Sequence, residues 1–204
     1  APATWTNGSD LTGDGTADLI VKEYSGGAHC CARWRMISLA SPPIVLTDID
    51  NGGSVKFPFK DYDGDGAFEV ERHDTTFNYW NASLAESPVI TLVYRLANGQ
   101  LTFAPDLMKK PPLTTDELHR RSSALDWESR KLEIDFNIPP HLWTQMLELI
   151  ATGNHQQVEE FARLAWHPSA VVSRDSFLKA FYRRLHESPN TQEIKALLSE
   201  TSYK

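Results

Sequence analysis

Cysteine is nearly absent from this chain. Only two occur in 204 residues, adjacent at Cys30 and Cys31, so the fold cannot rest on a disulfide framework. No stretch approaches the roughly 20 apolar residues needed to span a bilayer as a helix, and the reading is of a chain without a membrane span. Bases are also in short supply. Lys and Arg number 20 against 27 acids, a formal charge of −7, which argues against a nucleic-acid face. There is no Gly-rich phosphate loop, no Gly-x-Ser-x-Gly elbow and no His-Glu-x-x-His, so the commonest local signatures of enzymes are missing.

The acidity is uneven. Through Leu107 there are 14 acids and 7 bases, whereas from Met108 onward there are 13 of each. All the excess therefore lies in the first half, which suits a basic protein partner better than a polyanion.

Much of that acid is written as one loop, twice. Asp10-Leu-Thr-Gly-Asp-Gly-Thr-Ala-Asp18 returns 51 residues later as Asp61-Tyr-Asp-Gly-Asp-Gly-Ala-Phe-Glu69. Oxygen side chains at positions 1, 3, 5 and 9 and a backbone carbonyl at 7 are the hard donors that Ca²⁺ prefers, and a central glycine permits the sharp turn. The expected ligands are Asp10, Thr12, Asp14, the Thr16 carbonyl and Asp18, then Asp61, Asp63, Asp65, the Ala67 carbonyl and Glu69. An EF-hand would need a Glu at position 12 and flanking helices. Here position 12 is Val21 or Arg72, and Leu19-Ile20-Val21 and Phe68-Glu69-Val70 read as strands. A single acidic turn is ordinary turn chemistry; the same acids repeated in the same places point to two bound Ca²⁺ ions.

These loops, each running into a strand, resemble the calcium loops of FG-GAP and VCBS-type repeats of integrin-like β-propellers and secreted bacterial proteins. The resemblance covers the two loops and the strands after them. It implies a β-rich, extracytoplasmic, non-enzymatic adhesion or binding module with loops rigidified by Ca²⁺. A propeller needs roughly four to eight blades, and two repeats close none, so the expectation is a small sheet domain that uses the loop.

The expected fold class is α+β: an antiparallel β domain with two calcium loops, then an all-α domain of helical hairpins. Strands are expected at 19–24, 32–39, 44–47, 55–59, 68–76, 89–96 and 100–103, from β-branched and aromatic alternation. Asn98-Gly99 between the last two is the dipeptide of a tight hairpin turn. The prolines and lysines of 108–113 read as a linker, dividing a β domain over 1–107 from a helical domain over 114–204. Thr114-Thr-Asp-Glu117 is a capping box that opens a helix. Four apolar stripes follow: Leu142, Trp143, Met146, Leu147 and Ile150; Val158, Phe161, Ala162 and Ala165; Phe177, Leu178, Phe181 and Leu185; Ile194, Leu197 and Leu198. Helical starts near Pro139 and Ser173, 34 residues apart, together with Gly153 and the small residues Ala162 and Ala165, resemble a tetratricopeptide repeat; a compact helical bundle packed on the sheet domain is the other reading.

Cys30-Cys31 follow Ser25-Gly-Gly-Ala-His29, and three readings stand: a vicinal disulfide, a pair of buried inert thiols, or a thiol or soft-metal site using His29, Cys30 and Cys31. The last would make the chain an enzyme, the rival to the binding module. Calcium loops without a twelfth-position Glu bind modestly and fill where Ca²⁺ is abundant. The expected location is therefore periplasmic or secreted, and the initial Ala-Pro-Ala fits either a chain that has lost a signal peptide or one that has been trimmed. The expected partner is another envelope or extracellular protein, basic in character, or a glycan, met by aromatics such as Tyr62, Tyr79 and Trp80.

Overall fold

The computed structural model describes residues 6–24, 26, 32–50, 56–97, 99–127 and 138–199. It is an α+β protein with two sheets and five α-helices among these residues. The first sheet orders its strands β1-β2-β3, with β1 Asp18–Tyr24, β2 Ala32–Ser38 and β3 Ile44–Asp50. β1 pairs antiparallel with β2 from Asp18↔Ser38 to Tyr24↔Ala32, and β2 pairs antiparallel with β3 through a register shift at Met36/Ile37. The second sheet orders β4-β5-β6-β7, with β4 Phe59–Lys60, β5 Glu69–Asp74, β6 Ile90–Ala97 and β7 Gln100–Phe103. The strands of the expected β domain thus form two sheets, each in chain order.

Alternation decides the faces. In β2, Ala32, Trp34, Met36 and Ser38 are buried while Arg33 is exposed and Arg35 and Ile37 are half-buried, as a period of two requires. The expected strand 55–59 is cut to Phe59–Lys60, and Val55 lies outside the described residues. β6 and β7 close with Ala97 opposite Gln100 and Gly99 at φ +71°, a conformation natural to glycine in a two-residue turn; Asn98 is outside the described residues.

The chain groups into two compact units, Ala1–His73 with Thr91–Leu107, and Asp74–Ile90 with Met108–Lys204. The second unit contains α1 Thr115–Ser123, α2 Pro140–Ala151, α3 Val158–Ala165, α4 Arg174–His186 and α5 Thr191–Leu198. α1 begins where the capping box places it, the Thr114 hydroxyl accepting from the Glu117 amide at 3.2 Å. α2 opens with Pro140 in its first turn, where a missing N–H costs nothing. Every residue of the first two stripes is buried; in the last two, Leu178 and Leu198 are half-exposed.

The segment 74–90 belongs to the helical unit because of its aromatics. Phe77 packs on Phe181 with the rings tilted by 36° and their centres 5.3 Å apart, and Trp80 meets Trp143 edge-on at 5.4 Å. Such pairs add about 0.5–1.5 kcal/mol each beyond the area they bury. The segment 108–113, expected as a linker, is tied to the same unit: Leu113 exchanges two hydrogen bonds with the Gln157 side chain, at 2.9 and 2.8 Å, and the Lys110 carbonyl accepts from the Asn154 amide at 3.1 Å. No helix among the described residues is long and apolar enough to cross a membrane.

Candidate metal centre

Both acidic loops lie in the sheet unit, and each delivers its ninth residue as the first residue of a strand, Asp18 in β1 and Glu69 in β5. The internal hydrogen bonds of the two loops correspond position by position. At position 1, Asp10 accepts from Gly13 and Gly15, both at 2.8 Å, and from Asp14 at 3.2 Å; Asp61 accepts from Gly64 at 2.6 Å and Gly66 at 3.2 Å. At position 5, Asp14 and Asp65 accept from the amides of Thr16 and Ala67, both at 2.8 Å. At position 9, Asp18 accepts from the Leu11 amide at 2.8 Å and Glu69 from the Tyr62 amide at 2.9 Å. Glycine is required at positions 4 and 6, because Gly13, Gly15, Gly64 and Gly66 have φ between +73° and +93°.

The acids of each loop differ sharply in exposure. Asp10, Asp14, Asp63 and Asp65 are exposed, whereas Asp18 is 0% and Glu69 4% exposed. Burial pushes both the Asp18 and Glu69 carboxyls above the usual carboxylate range, against the lowering effect of their amide hydrogen bonds. Neighbouring acids push the same way, Asp14 on Asp18 and Asp63 with Asp65 on Glu69. The Asp18 carboxylate turns onto its own loop, its Oδ2 accepting from the Leu11 and Thr12 amides and the Thr12 hydroxyl. Its Oδ1 is buried with no hydrogen-bond partner, a state that costs about 1–3 kcal/mol if nothing else satisfies it.

In the second loop Asp61, Asp63 and Asp65 bring carboxylate oxygens within 4.8 Å of one another, the one such gathering of three acids among the described residues. The first loop has Thr12 where the second has Asp63, so its third oxygen is a hydroxyl. The carboxylates gathered in the second loop offer oxygen alone, and each carboxylate oxygen that accepts one amide retains a second lone pair. Such a set suits a hard divalent cation and not a soft one.

The two loops also touch. The Phe68 amide, at position 8 of the second loop, donates to the Leu11 carbonyl, at position 2 of the first, at 2.7 Å. A Cβ built on Gly13 would sit 3.5 Å from the Ala67 Cβ.

Three further features surround the loops. Arg95 forms a two-pronged pair with Asp106 at 2.9 and 2.8 Å, and the same guanidinium lies 3.7 Å from Asp63. Tyr62, whose amide holds Glu69, donates its hydroxyl to Glu71 at 2.6 Å, and its ring carries the Lys60 ammonium 4.2 Å from the centre. A cleft of about 480 Å³ opens beside the first loop, lined on one side by Thr12, Asp14 and Thr16 and on another by Ile44, Leu46 and Leu96.

Sequence reasoning missed Arg95, because nothing local connects a strand arginine to an acid 32 positions earlier. Trp80, expected as a presented aromatic, is instead packed among Phe77, Trp143 and Phe177 of the helical unit. Tyr79 is 63% exposed in that unit, and Tyr62 is half-buried at the second loop. His29, Cys30 and Cys31 lie outside the described residues. Compared with protein-family models, with curated proteins and with solved structures, the chain matches none.

Proposed function

We propose that the chain is a non-enzymatic, extracytoplasmic calcium-binding protein, a protein- or glycan-binding module whose sheet unit is rigidified by two Ca²⁺ ions. The observation that carries the reading is the correspondence of the two loops, which repeat the same carboxylate-to-amide bonds at positions 1, 5 and 9. A turn needs only some of these bonds, and in the second loop Asp61, Asp63 and Asp65 also bring their oxygens within 4.8 Å of one another. The first ion would be held by Asp10, Thr12, Asp14, the Thr16 carbonyl and Asp18, and the second by Asp61, Asp63, Asp65, the Ala67 carbonyl and Glu69. The resemblance to FG-GAP and VCBS-type loops favours Ca²⁺ among hard cations. Bound Ca²⁺ supplies charge neutralisation. It lets the buried Asp18 and Glu69 remain ionised and gives the orphaned Asp18 Oδ1 a partner.

Extracellular or periplasmic calcium is abundant enough to fill sites of modest affinity. The acid excess of the first half favours a basic protein as the partner. The test is thermal unfolding of chelator-stripped protein. A hundredfold excess of Ca²⁺ over Kd adds about 2.7 kcal/mol per site, which at this chain length raises Tm by about 5–10 °C per site. Mg²⁺, smaller and slower to shed water, should give much less. An unchanged Tm with Ca²⁺ would end this reading.

A further inference from the structure

We infer that the two loops bind calcium as one cooperative unit; the inference rests on the calcium reading above and goes on to the regulation of those sites. Acid clusters alone would not carry it. The fully buried Asp18, turned onto its loop with Oδ1 unpartnered, is an independent sign that the first loop expects a cation.

The coupling runs through a short chain of backbone groups. The peptide groups on either side of Leu11 have one bond each: its amide donates to the Asp18 carboxylate at 2.8 Å, and its carbonyl accepts from the Phe68 amide at 2.7 Å. Phe68 in turn stands between Ala67, whose carbonyl is the expected position-7 donor, and Glu69, the buried acid of the second loop. Any movement of Asp18 toward a cation is therefore passed to Leu11, and from Leu11 to the two donors that flank Phe68. Leu11 and Phe68 are both buried, at 3% and 7% exposure, so the bridge is not competed by water.

Gly13 and Ala67 also neighbour each other, a Cβ built on Gly13 reaching to 3.5 Å of the Ala67 Cβ, so the loops lie close at a second point. Fixing one loop thus pre-orders its neighbour, and the second ion pays less of the ordering entropy than the first. Filling order is not set by the bridge, but the coupling must be equal in both directions.

The experiment uses the amide resonances of Gly13 and Gly15 as reporters of the first loop and of Gly64 and Gly66 as reporters of the second, since each donates to a position-1 aspartate. The full chain is titrated with Ca²⁺ alone as wild type, Asp14→Asn and Asp65→Asn; both altered side chains are exposed, so the fold is retained. In the wild type all four glycines should move together along one sigmoidal curve. In Asp14→Asn, Gly64 and Gly66 should need about fivefold or more Ca²⁺ to reach their midpoint, and Asp65→Asn should shift Gly13 and Gly15 by the same factor. An intact loop that titrates at its wild-type midpoint in either variant would overturn the coupling while leaving two independent calcium sites. Glycines that stay still in the wild type would overturn both readings.

Discussion

Asp74 accepts a hydrogen bond from the Asn190 side-chain amide at 2.9 Å across 116 positions of sequence. The Ser188 hydroxyl donates to the same carboxylate oxygen, and the Thr76 amide donates to the other at 2.9 Å. Asp74 is 1% exposed, and this closed donor ring fastens the start of the segment 74–90 to the turn between α4 and α5. Burial alone would raise the Asp74 carboxyl, but the bonds from Asn190, Ser188 and Thr76 outweigh it and hold it below its ordinary 3.8.

A lowered carboxyl contributes stability that is complete above the unfolded value and is lost as the pH falls through the folded one. Asp74→Asn should therefore cost about 3 kcal/mol near neutral pH, since it meets three donors with an amide that can donate. Urea unfolding at a series of pH values checks this. The gap between wild type and variant should begin to narrow as the pH falls below about 3.8, the ordinary value of the group, and close only as it passes through the lower folded value; a gap independent of pH would show that the ring acts by shape alone.

Asp14 and Asp65 hold equivalent places, each accepting a position-7 amide at 2.8 Å from an exposed side chain. Asp14→Ala and Asp65→Ala should lower Tm in the presence of Ca²⁺, by about 5–10 °C when a site filled at a hundred times Kd is lost. In EDTA the effect should nearly vanish, because only one exposed hydrogen bond is removed. Differential scanning calorimetry with and without chelator separates the two conditions.

Arg95 places a positive charge 3.7 Å from Asp63. Arg95→Gln should tighten Ca²⁺ binding by about two- to threefold at low ionic strength, the scale expected of an exposed charge. Raising the salt to about 1 M should erase the gain. Titrations at two salt concentrations suffice, and weaker binding in the variant would mean that Arg95 supports the loop rather than opposing its ion.

Thr114→Ala removes the side-chain acceptor of the Glu117 amide at the start of α1. Loss of such a cap costs about 1 kcal/mol. Equilibrium urea unfolding should show this with an unchanged m-value.

Where residues act on near neighbours, the sequence was legible. The Thr114 cap, the buried faces of α2 and α3 and the paired strands β1 and β2 follow from periodicity and from contacts a few positions apart. The gathering of Asp61, Asp63 and Asp65 was legible for the same reason. What was hidden depends on distance along the chain. Trp80 reads as an aromatic presented to a partner until Phe77, Phe181 and Trp143 are brought beside it. The segment 108–113 looks like a linker because the partners of Lys110 and Leu113, Asn154 and Gln157, lie 44 positions away. The contact of Leu11 with Phe68 is of this kind too, being a backbone bond that no side-chain pattern records.

The most direct test of the paired sites is a calorimetric count of Ca²⁺ bound by chelator-stripped protein, as wild type, Asp14→Asn, Asp65→Asn and the double variant. Two matched loops predict about two ions for the wild type, about one for each single variant at saturating Ca²⁺ and none for the double variant, with Mg²⁺ much weaker throughout. A wild type that takes up no Ca²⁺, or a double variant that still binds as the wild type does, would contradict the assignment of these loops as the metal sites.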